Sequence, residues 1–72
     1  MTYEEMAIVN FLRGFPEGYV ARREIARKAL KRTVFEDNPH WADAPLNSLV
    51  EHRLIEQNEN GHYRIAQHDS SP

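Results

Sequence analysis

The sequence predicts an α+β domain: three helices, a short strand after the first of them, and a two-stranded hairpin at the C-terminal end. Three observations lead there. Apolar residues recur at helical spacing over the first two-thirds of the chain. Asn60-Gly61 sits between two short β-prone runs, where a tight turn needs residues that tolerate positive φ. Gly14 with Pro16, and Asn38 with Pro39, stand where helices must stop or start. A chain of 72 residues without cysteine makes one small domain, held by packing rather than by disulfides or thiolate-bound metal.

Each element follows from local chemistry. Thr2 with Glu5 three residues on is a capping box. Ile8, Phe11, Leu12 and Phe15 follow at helical spacing, and Gly14 ends the helix, giving helix 1 over residues 3–13. Phe15 to Gly18 is a turn, and Tyr19-Val20-Ala21 is a brief strand. Helix 2 is expected over 22–32, with Ile25, Ala26, Ala29 and Leu30 as its buried stripe. Residues 33–37 then form a connector in which Val34 and Phe35 dip into the core. Asn38-Pro39 has the look of an N-cap with proline at the first helical position. Helix 3 is either 39–52 with a kink at Pro45, or 44–52 after a separate turn, and the first is favoured. Residues 54–58 and 62–65 pair as the hairpin, with Ile55, Tyr63 and Ile65 on one face. The domain spans 1–66, and the polar stretch 67–72 is expected to be a flexible tail.

Composition narrows the function classes. No apolar run approaches the roughly 20 residues that cross a bilayer. Two glutamates and no basic residue precede the first apolar stretch, the reverse of a secretory signal, so a cytoplasmic location is expected. The net charge is −2, on the acid side for a protein that grips phosphates.

Residues 20–26 (VARREIA), 46–56 (LNSLVEHRLIE) and 60–65 (NGHYRI) resemble the winged helix-turn-helix superfamily of bacterial and archaeal regulators. The first stretch is similar to the entry of that family's second helix. The next is similar to the end of its recognition helix, and the last to its returning wing strand. The resemblance implies DNA binding with helix 3 in the major groove and helix 2 and the wing on phosphates. Two departures stand out. The connector after helix 2 is longer than the usual short turn, and Arg53 occupies a position where the family often has glycine.

The candidate DNA-binding residues fall in three groups. Arg22, Arg23, Arg27, Lys28, Lys31 and Arg32 are six of the nine basic residues, gathered within one helix with a single acid, Glu24. Such a local field can hold phosphate despite a negative total. Arg23, Arg27 and Lys31 make one outer row, and Glu24, Lys28 and Arg32 the next. On helix 3, Asn47 could read adenine and Ser48 a base or phosphate. Glu51 opposes phosphate, and no arginine faces outward there. In the wing, His62 could join them, and Arg64 could reach a phosphate or pair with Glu56 across the hairpin.

Trp41 either stacks on a base or anchors a partner chain, or it covers one edge of a thin core. His40, His52, His62 and His68 show no i, i+4 pair, so no metal is expected. No cofactor, catalytic residue or enzymatic activity is expected in so small a domain. The leading expectation is a DNA-binding regulator, dimeric because one module offers little contact area. The alternative is a winged-helix protein-interaction module that uses Trp41 and helix 3.

Overall fold

Thr2 and Glu5 open the first helix as the sequence predicts. The Thr2 amide donates to Glu5 Oε1 at 2.7 Å, and the Glu5 amide donates to Thr2 Oγ1 at 3.1 Å. Two amides that would otherwise lack partners at the helix start are thereby satisfied. The computed structural model describes residues 1–66, so the expected tail at 67–72 lies outside the described residues. In chain order it holds α1 (Tyr3–Arg13), α2 (Arg22–Lys28), α3 (Arg32–Asp37), α4 (Asp43–Glu51), β1 (Ile55–Gln57) and β2 (Tyr63–Ile65). Among the described residues there are therefore four helices, not the expected three, followed by a C-terminal antiparallel hairpin.

Helix 2 is shorter than expected. It ends at Lys28, and residues 32–37 of the supposed continuation and connector form a separate helix, α3. The reason is tertiary. In a continued helix the Ala26 carbonyl would accept from the Leu30 amide. Here it accepts from the Trp41 indole Nε1 at 2.8 Å. Breaking the helix also lets Phe35 pack, half-buried, against the core. Lys31 and Arg32 consequently leave the rows assigned to helix 2: Lys31 is the N-cap residue of α3, and Arg32 is its first residue.

The kinked 39–52 helix does not form either. Asn38 Oδ1 accepts from the His40 amide at 3.1 Å, and residues 39–42 form turns before α4 begins at Asp43. Pro45 then lies in the first helical turn. Amides there have no intrahelical acceptor, so the missing N–H of proline removes nothing. The proline favours this late start over a kink.

The far end of α4 carries a strained residue. The Leu54 amide donates to Leu49 O at 2.9 Å, and the Arg53 amide to Val50 O at 3.0 Å. These two bonds define a Schellman end, which puts Arg53 in the left-handed region at φ 62°. A side chain there costs about 1–2 kcal/mol, partly offset by the extra unfolded-state freedom of glycine. Arg53→Gly is therefore expected to stabilise the domain by about 0.5–1 kcal/mol, seen as a higher urea midpoint at unchanged slope. A midpoint that stays put or falls would contradict strain at this position.

In the hairpin, Ile55 faces Ile65, Glu56 faces Arg64, and Gln57 faces Tyr63. Gly61 takes φ 78°, while Asn60 keeps a negative φ. The Gly61 amide donates to Asn58 O at 3.0 Å, and Asn58 Oδ1 accepts from the amides of Asn60 and His62. The turn is thus a longer loop with glycine alone in the left-handed position, rather than a two-residue turn. The expected strand at 19–21 reduces to Val20, which exchanges both backbone hydrogen bonds with Tyr63 at 2.7 and 2.8 Å.

The core lies between α1, α2, α4 and the hairpin. Ile8, Leu12, Ile25, Leu46 and Leu49 are its fully buried large side chains, with Ile55 and Tyr63 closing it. Of the stripe expected on α1, Phe15 is exposed and meets the Phe11 ring at a tilt, centroids 5.2 Å apart, while Glu5 and Val9 are buried instead. Leu30 and Ile65 are only half-buried. No helix among the described residues is long and apolar enough to cross a membrane.

Candidate functional site

The fold brings three distant segments to one concave surface. Arg22 and Arg23 arrive from the first turn of α2, and Asn47 from the exposed side of α4. Gln57, Asn60 and His62 arrive from the hairpin and its turn. Together they line a concavity of about 520 Å³. The Val20–Tyr63 bridge sets this spacing, because it ties the segment leading into α2 to the strand leaving the turn. Four of the sequence-predicted residues, Arg22, Arg23, Asn47 and His62, meet here.

Gln57 was not foreseen. It shares the Ile55 and Tyr63 face of the hairpin, where its Nε2 donates to Tyr63 Oη at 3.2 Å. The period-two alternation that placed Ile55 could have placed it.

The remaining basic residues lie elsewhere. Arg27, Lys28 and Arg32 line a second groove of about 430 Å³ between α2 and α3, with Arg23 at its border. Each has a carboxylate: Lys28 Nζ lies 2.9 Å and Arg27 3.8 Å from Glu24, and Arg32 Nε lies 3.1 Å from Glu36. On the first surface, Arg22 donates to Asp43 Oδ1 at 3.0 Å. Among the described residues, Arg23 and Lys31 make no ion pair. All these pairs are solvent-exposed, and such pairs contribute only about 0–1 kcal/mol, so a phosphate can exchange for the carboxylate at little cost.

Ser48 and Arg64 are turned away from the concave surface. The Ser48 hydroxyl lies 3.4 Å from His52 Nδ1, one turn further along the chain. Arg64 Nη2 donates to Glu56 Oε1 at 3.1 Å, so the cross-strand alternative holds. Its guanidinium also stacks over the Tyr19 ring at 4.4 Å, and the Tyr19 hydroxyl donates to the same carboxylate oxygen at 3.0 Å. Trp41 is half-buried against the core, the edge-covering alternative. No three histidine or acidic side chains gather at metal-holding distance among the described residues, and His68 lies outside them.

These contacts shift three titrations. The Ser48 hydroxyl first, then the Thr2 amide, hold the Glu5 carboxyl below its ordinary 4.5. The hydrogen bond from Lys28, then its charge, does the same for Glu24. The hydrogen bond to Glu56, then burial, raises the Tyr19 phenol above 10.0. For the two carboxyls the fold favours the charged form. Their stabilisation is complete above pH 4.5 and is lost as pH falls through the lowered values. For Tyr19 the neutral form is favoured, so its contribution holds below pH 10.0 and is lost as pH rises through the raised value. Stability is thus expected to decline in acid, and Glu5→Gln should flatten that decline in urea midpoints measured across pH. An equal acid slope in parent and variant would remove Glu5 from the explanation.

Compared with known proteins, the chain matches no family model, no curated protein and no solved structure.

Proposed function

We propose that this chain is a winged helix-turn-helix DNA-binding module acting in transcription regulation. Helix α4 enters the major groove, while the start of α2 and the hairpin turn hold the flanking phosphates. The observation that carries this reading is the shared concavity: two guanidiniums and the amide of Asn47 on one surface, with the hairpin turn at its margin. Arginine is suited to phosphate and an asparagine amide to the paired donor and acceptor of adenine. The order of elements supports it as well. A helix, a one-residue strand, further helices and a hairpin follow in sequence, and Val20 bridges Tyr63 so that β2 runs between Val20 and β1. Helix α3 is then an insertion between the second and the recognition helix.

Fluorescence anisotropy with a labelled duplex pool tests the reading. The parent should bind at low salt, and the logarithm of its affinity should fall linearly with the logarithm of salt concentration. Asn47→Ala should relax preference at one base pair by about 1–3 kcal/mol and leave the salt slope unchanged. No binding at low salt would retire the proposal.

A second reading, a protein-interaction module, is favoured by α4 itself. Its residues Asp43–Glu51 include two acids and no basic side chain. That reading expects no DNA affinity at any salt, and loss of a protein partner on Glu51→Lys. For either function we propose a homodimer through α1, whose outer side exposes Tyr3 and Met6 beside Leu30. Light scattering that shows only monomer at high concentration would exclude it.

A further inference from the structure

Helix α3 and the turns before α4 have no part in the DNA reading, yet they build a separate cavity against α2. It measures about 200 Å³. Ala26, Phe35 and Pro39 give it an apolar floor. Arg22, Arg23, His40 and Asp43 give it an ionic rim.

Size, charge and geometry each restrict what fits. A dry cavity of about 150 Å³ holds benzene, so this one accommodates a single ring with one small substituent. The rim sets two guanidiniums against one carboxylate, and a single monoanion balances them. The Asp43 carboxylate is already engaged: Oδ1 accepts from Arg22 at 3.0 Å, and Oδ2 lies 3.6 Å from His40 Nδ1. Arg23 makes no ion pair among the described residues, and its planar fork matches a carboxylate in two parallel hydrogen bonds. Phe35 is half-buried and α3 has no fully buried residue, so a ring seated on Phe35 gains apolar contact that the protein alone does not supply.

We propose that this cavity is a binding site for a planar one-ring monoanion, an aromatic or heteroaromatic carboxylate. The ring lies on the floor of Ala26, Phe35 and Pro39, and the carboxylate is held by Arg23 with Arg22 beside it. Arg22 and Arg23 also line the α4 concavity, so an occupant here draws on the cations that the DNA reading assigns to phosphate.

Benzoate is the probe, titrated into the full chain without DNA, so that the result stands apart from the DNA reading. Amide chemical shifts in a nitrogen–proton spectrum report the site. Saturable shifts are expected at Arg23, Ala26, Phe35 and His40. Acetate, lacking the ring, and benzyl alcohol, lacking the charge, should bind at least about tenfold more weakly. Arg23→Gln should weaken benzoate by about tenfold, the scale of one charge-assisted hydrogen bond, with the rest of the spectrum unchanged. Non-saturating shifts, or saturable shifts confined to the Arg27–Arg32 groove, would overturn the proposal. So would acetate matching benzoate, which means a bare cationic patch, or benzyl alcohol matching it, which means an apolar dent.

Discussion

Leu49→Ala is expected to lower the unfolding free energy by about 2–5 kcal/mol. Leu49 is 1% exposed and sits where α4 packs on both α1 and β1. Truncation removes its transfer energy and leaves a cavity that Ile8, Leu12, Leu46 and Ile55 can close only in part. The loss is large against the total, since a core this small rarely supplies more than about 3–5 kcal/mol net. Urea unfolding followed by circular dichroism should show a variant partly unfolded even without denaturant. Leu54→Ala, at a side chain 41% exposed, should cost far less and provides the comparison. Similar losses at the two positions would mean that the core is not centred between α1 and α4.

Replacing Arg22 and Arg23 together by glutamine should have the largest functional effect. On the DNA reading each arginine neutralises one phosphate, and removing one such charge reduces the log–log salt slope by about 0.9. The double variant should therefore bind every duplex more weakly, by an order of magnitude or more at low salt, with a slope smaller by about 1.8. Both side chains are exposed, and the Arg22–Asp43 pair is solvent-screened, so stability should change by less than about 1 kcal/mol. Arg27→Gln with Lys28→Gln removes the same charge from the other groove and should leave the slope nearly unchanged. If the second pair matters as much as the first, the protein uses its general basic character and not the α4 concavity. If neither matters, these four cations are only a solvated face.

The parts of the molecule legible in the sequence are those whose causes are local. The Thr2–Glu5 capping box forms between residues three apart, and Gly61 takes its positive φ for lack of a Cβ, whatever the rest of the chain does. Apolar periodicity identified Ile8, Leu12, Ile25, Leu46 and Leu49, because a helix carries equally spaced side chains to one side. Periodicity alone erred by a fraction of a turn on α1. It put Phe15 inward and overlooked Val9 and Glu5, because which flank of a stripe is covered depends on the neighbouring elements.

The candidate site was legible as residue types and not as a surface. Arg22, Arg23, Arg27, Lys28, Lys31 and Arg32 read as one basic row on an unbroken helix. Whether that helix continues past Lys28 depends on a competition for the Ala26 carbonyl between a near amide and the indole of Trp41, fifteen residues on. Tertiary packing decides that competition, and with it the division of the cations between two grooves. Local chemistry thus determined the Thr2–Glu5 cap, the left-handed Gly61, the inward positions of Ile8, Leu12, Ile25, Leu46 and Leu49, and the C-terminal hairpin. Only the assembled fold decided that α3 exists, that α4 begins at Asp43, and that Arg23 borders both grooves. These outcomes rest on contacts between residues far apart in sequence, and no periodicity in the chain encodes them.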